Sequence, residues 1–182
     1  MPFYRSRQRV SAALGSQNTM RRRKSPYPSD RVGVFKHLSD VPARHRLKQY
    51  TDEYADRDVW QEFCLEGEYD QSPTDEFRAE VDRVGDRWKA FMNQRGRHHA
   101  LATPTDVESW CQTLLEDGSP RRAHDYWIRI RRFYDWLQWH TKHPHVYHPV
   151  VMAAIEYDGA ERIWQEKRTR WENAYESYEA TQ

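Results

Sequence analysis

The sequence predicts an all-α protein, a compact helical bundle with extra N-terminal helices and a basic N-terminal arm. Three observations lead there. Apolar residues recur at three- and four-residue spacing along successive stretches, the mark of amphipathic helices. Short clusters of Ser, Pro, Gly and Asp separate those stretches, and such residues cap and end helices. No stretch alternates apolar and polar residues long enough to support a strand.

Residues 1–34 form the basic arm, of which Met1 to Asp30 has no sustained periodicity and is rich in Arg, Ser and Gln. They carry eight basic side chains against Asp30 alone, whereas the rest of the chain holds 21 basic and 27 acidic ones. The net charge of +1 therefore hides a basic arm on an acidic body. Within the arm, Arg21, Arg22, Arg23 and Lys24 form a cluster that can neutralise phosphates and become ordered on doing so.

Residues 35–73 contain two short helical patterns. Val41 to Tyr54 carries Leu47 and Tyr50, and Asp58 to Glu66 carries Val59, Trp60, Phe63 and Cys64 on one face. Both are too short to stand alone in water and must pack on a larger body. A loop closing on Ser72-Pro73-Thr74-Asp75 gives a fresh helix start. Glu76 to Gln94 follows, with Phe77, Val81, Val84, Trp88, Phe91 and Met92 on its stripe and Arg78, Asp82, Arg83, Asp86 and Lys89 on the wet side. Gly85 weakens that helix by roughly 1 kcal/mol relative to Ala.

The centre of the chain is a helix pair. Asp106 to Glu116 places Val107, Trp110, Cys111, Leu114 and Leu115 on one face, with Thr105 and Glu108 spaced as a capping box. Gly118 ends it; Ser119 caps the next helix and Pro120 takes its first position. The second helix carries Ala123, Tyr126, Trp127, Ile130, Phe133, Tyr134 and Leu137 inward, while Arg121, Arg122 and His124 make its first turn basic and outward-facing. Trp136 and Trp139 fall off that stripe, so they meet a further helix or form an exposed patch. Val150 to Glu156 is short and apolar, Tyr157-Asp158-Gly159 stops it, and Ala160 to Tyr178 is a last amphipathic helix.

The order of elements around Pro120 resembles the core-binding, SAM-like domain of tyrosine recombinases of the phage-integrase type. The residues that carry the resemblance are Ser119-Pro120, Arg122, Tyr126, Phe133, Trp136 and Leu137, with His148-Pro149 where the family usually has Asn-Pro. Arg122 departs from the family, which most often has Thr there. The resemblance spans about residues 75–158, and the domain it implies occupies 74–158, followed by the C-terminal helix of 159–182. It implies duplex DNA as the partner, in integration or recombination of a mobile element, with the helix start entering the major groove. Matching positions place Arg121, Arg122 and Asp125 at the DNA. Arg129 and Arg132 lie further along, and Arg132 returns to the Arg121 side of the helix. Asp125 is an awkward match, since a carboxylate repels phosphate, though it can accept from cytosine.

The resemblance does not extend to catalysis. The family's chemistry needs a His-x-x-Arg motif and a tyrosine nucleophile on a second domain; this chain has no His-x-x-Arg, and about thirty residues after Glu156 cannot hold such a domain. The expectation is a DNA binder that does not cleave, whether a fragment of a recombinase or a free-standing protein. No cofactor is expected: with 7 Gly in the chain, a Gly-rich nucleotide cradle is absent. His98, His99, His140, His143, His145 and His148 invite a zinc reading, but no Cys lies near and Pro144 and Pro149 break the helix that would align them, so loop contacts and caps are the expected roles. Cys64 and Cys111 read as small core residues. No run has the length of a membrane span, which leads to an expected soluble, cytoplasmic, DNA-associated protein. A rival reading makes the chain an assembly module, with Trp164, Trp171, Tyr175 and Tyr178 docking a second copy or a recombinase subunit.

Overall fold

A computed structural model describes residues 35–69 and 73–179, with side chains to residue 174. The arm cluster Arg21, Arg22, Arg23 and Lys24, and the side chains of Tyr175 and Tyr178, lie outside the described residues. The described chain is helical throughout and contains no strand.

The segment expected as one helix from Val41 to Tyr54 is instead two 3-10 turns, Ala43–His45 and Leu47–Tyr50, leading into α1, Thr51–Tyr54, with a further 3-10 turn, Leu38–Asp40, just before it. Pro42 and Arg46 take extended backbone angles between the turns and interrupt any continuous helix. Val41, Leu47 and Tyr54 still reach the core. Next comes α2, Val59–Phe63, capped by Asp58, which accepts a hydrogen bond from the Gln61 amide at 3.1 Å. It widens into a π-helical segment, Cys64–Glu68. Helix α3, Asp75–Gln94, is capped by Thr74.

Helix α4, Pro104–Glu116, starts earlier than the spacing of Thr105 and Glu108 suggests. The capping box is formed by Thr103 and Asp106, with Pro104 at the first helical position. Glu108 instead reaches a different helix, where its carboxylate accepts from the amides of Gly159 at 3.1 Å and Ala160 at 2.8 Å. It thereby satisfies the open amides at the start of α7, Asp158–Glu179. Gly159 does not stop a helix here. It belongs to α7, where a Cβ would collide with the side chains of Gln112 and Glu108. Only Tyr157 separates α7 from α6, Pro149–Glu156.

Helix α5, Pro120–Trp139, runs against all of these neighbours. It packs on α2, α3, α4, α6 and α7. The core it shares is filled by rings. Trp60 and Phe63 meet Phe133, Trp88 and Phe91 meet Trp110, and Trp127 meets Trp164 edge-on. A chain poor in aliphatic residues buries enough area this way to hold together. Gly85 explains itself in this core. The indole of Trp60 lies so close over it that a Cβ would fall within 2.5 Å of three of its ring atoms. The helix gives up some propensity to let α2 approach α3.

Candidate nucleic-acid interface

The start of α5 is capped as the sequence indicates. Ser119 accepts from the Arg122 amide at 3.3 Å, and Pro120 opens the helix. Arg121 and Arg122 are exposed, and neither guanidinium has a carboxylate partner among the described residues. The two nearby carboxylates are already engaged. Asp117 pairs with Arg87 from α3. Asp125 pairs with Arg170 from α7 at 3.1 Å. Arg170 also donates to the Arg121 carbonyl at 3.2 Å and to Glu166 at 3.1 Å, so α7 is fastened to the base of the turn. The awkward Asp125 is thus a structural acceptor whose charge is matched from within.

The remaining α5 positions behave differently. His124 does not reach the surface, contrary to the sequence expectation. Its ring is buried beside Trp127 and its centroid lies 5.9 Å from that indole. Position 124 follows the buried Ala123 and shares its side of the helix with Trp127, three residues on, so the first turn cannot be basic all round. Burial, and then the charge of Arg170, lower its pKa. Arg129 also turns inward. It lies over the Phe77 ring at 4.6 Å and pairs with Glu68 and Glu80, each at 3.2 Å. Arg132 pairs with the other oxygen of Glu68 at 2.8 Å, although half of its side chain stays exposed. Glu68, whose side chain is 2% exposed, is delivered by the π-helical segment and ties α5 to it. Arg129 and Arg132 are therefore held by local carboxylates and offer less to an outside anion than the first turn does.

The structure adds a residue that sequence periodicity could not single out. Arg83 sits on the wet face of α3, and the antiparallel packing of α3 on α5 brings it to the same groove as Arg122. The groove has a volume of about 470 Å³ and is lined by Glu80, Arg83, Val84, Arg122, Asp125, Tyr126, Ile128 and Arg129. Only knowledge of which helix faces which would have shown this.

The histidines act as internal connectors. His99 accepts from the Trp60 amide at 3.1 Å, His145 lies 2.7 Å from the Ala100 carbonyl, and His143 lies 2.7 Å from the Tyr54 hydroxyl. His148 caps α6. Burial is the main cause that lowers the pKa of His99 to about 3 and of His143 and His145 to about 4. Among the described residues no group of three His, Cys, Asp or Glu is placed to hold a metal ion. Cys64 and Cys111 are free and buried, and burial raises the Cys64 thiol to about 11. No helix among the described residues is long and apolar enough to cross a membrane.

Of the aromatic residues assigned to a docking face, Trp164 is buried against Trp127 and Trp171 is 46% exposed. Of the two off-stripe tryptophans on α5, Trp136 packs on Phe63 and His140, whereas Trp139 is 86% exposed.

No known family matches the chain, and neither a curated protein nor a solved structure matches it.

Proposed function

We propose that the protein binds duplex DNA through the first turn of α5, without cleaving it, as a core-binding-like module in integration or recombination. The observation that carries this reading is the pair Arg121 and Arg122, exposed at a helix N-terminus whose neighbouring carboxylates are each held by another arginine. The positive end of the helix dipole favours an anion at that position. Two guanidiniums add full charges and the fork geometry suited to phosphate oxygens or to guanine.

The test is a salt titration of duplex affinity. Replacing both Arg121 and Arg122 by Ala should weaken binding and reduce the slope of log affinity against log salt by about 2, one unit for each lost phosphate contact. Unchanged affinity and slope would remove the reading.

The rival assembly reading keeps one favourable observation. Trp139 and Trp171 are large apolar side chains exposed to solvent. Light scattering over a range of protein concentrations separates the two, since assembly through these side chains would raise the mass without DNA.

A further inference from the structure

We infer that the groove between α3 and α5 seats a stretch of phosphodiester backbone, with Arg83 on one wall and Arg122 on the other. This rests on the DNA-binding reading and extends its contact surface to a second helix.

The groove's charges support it. Three guanidiniums and two carboxylates line it. Both carboxylates are occupied: Glu80 accepts from Arg129, and Asp125 accepts from Arg170. Arg129 is shared with the buried Glu68 and stacked on Phe77, so it forms the groove's fixed base and not a free cation. Arg83 and Arg122 are left exposed, with no carboxylate partner among the described residues. Two unmatched cations facing one concavity repel each other and lower their energy when a shared anion enters. Tyr126 gives the wall a polar tip, half-buried and covered on one side by Arg87 at 5.3 Å. The groove also opens beside the first turn of α5, so a strand reaching Arg121 continues into it through Arg122. Arginine is suited to such a place because its planar fork meets two phosphate oxygens at once. Glu80, half-exposed at the rim, then opposes the incoming strand.

The experiment compares four forms of the full chain on one duplex across a salt series: unmodified, Arg83→Gln, Glu80→Gln and Arg121→Gln. Arg83 is exposed and makes no ion pair among the described residues, so its variant should keep the helical signal and melting temperature. Arg83→Gln is expected to bind several-fold more weakly, with the salt slope reduced by about 1. Glu80→Gln is expected to bind several-fold more tightly, a gain that mere damage to the fold cannot produce. If Arg121→Gln weakens binding while Arg83→Gln and Glu80→Gln leave it unchanged, the groove assignment falls and the DNA reading stands. If the unmodified protein does not bind duplex, both fall. Millimolar inorganic phosphate at matched ionic strength should not displace the duplex, and neither should polyglutamate. Displacement by the first would mark a site for a free phosphate, and displacement by the second a site for an acidic polypeptide; either overturns the assignment.

Discussion

At the scale of single residues, close approach and paired charge decide what each position can do. Gly85 is a helix-interior glycine because Trp60 occupies the space a side chain would need. Gly85→Ala gains helix propensity but forces the indole, and with it α2, away from α3. The expected result is a net loss of about 1–3 kcal/mol, the usual cost of overpacking a well-filled core. Urea unfolding followed by tryptophan fluorescence measures it, and a stabilised variant would contradict the packing described. The same logic separates the arginines of α5. Arg121 and Arg122 are exposed and without a carboxylate partner among the described residues, whereas Arg129 and Arg132 are shared out over Glu68 and Glu80. Sequence alone does not distinguish them, because the partners of Arg129 stand 49 or more positions away.

At the scale of elements, caps fix both the starts of the helices and how they meet. The cap at Ser119 and the helix start signalled by Ser72-Pro73-Thr74-Asp75 were legible because Ser119 and Thr74 each accept from an amide within their own turn, which sequence spacing encodes. Glu108 was not, because its hydrogen bonds go to α7, some fifty residues on. The Thr105–Glu108 spacing fits a capping box, yet Thr103 and Asp106 form one two residues earlier, with Arg95 and Arg97 closing on the same carboxylate. Glu108→Ala should leave two amides at the start of α7 without an acceptor and destabilise the protein by about 1–2 kcal/mol. Hydrogen exchange should then speed up first at Gly159 and Ala160; protection unchanged at those amides would contradict the cap. The long amphipathic helices α3, α4, α5 and α7 were readable from periodicity. The 3-10 turns before α1 and the π-helical segment were not, since their conformations answer to tertiary contacts and to Pro42.

At the scale of the whole molecule, the histidines couple stability to pH. His99, His143 and His145 link the loop before α4, the loop before α6, and helices α1 and α2 through Tyr54 and Trp60. Their pKa values in the folded protein lie below the ordinary 6.5. The unfolded chain therefore binds more protons between those values, and stability must fall as pH falls. Stability should be nearly level above about pH 6.5 and decline steadily toward pH 4. Charged groups around the cluster do not reverse this: Asp58, Glu62 and Glu66 favour protonation, but Arg57, Lys89 and the other imidazoles oppose it alongside burial. Unfolding curves across this range check the slope, and His145→Gln should flatten it; a protein more stable at pH 5 than at pH 7 would refute the arrangement. The all-helical class was legible throughout, while the groove became visible only when α3 was seen lying against α5.

The segregation of charge on this body has a consequence for how it travels. Beyond residue 34 the chain carries more acidic than basic groups, yet Arg121 and Arg122 stand exposed on the first turn of α5 and Arg83 shares the α3–α5 groove with Arg122. Cations placed together on an acidic body make that side the one drawn toward negative charge. On the DNA-binding proposal, a duplex would exert a torque on the protein before contact and favour approach with α5 foremost. Selection of orientation would then happen in flight, and its strength would fade with added salt over a range set by the Debye length, about 8–10 Å in physiological buffers.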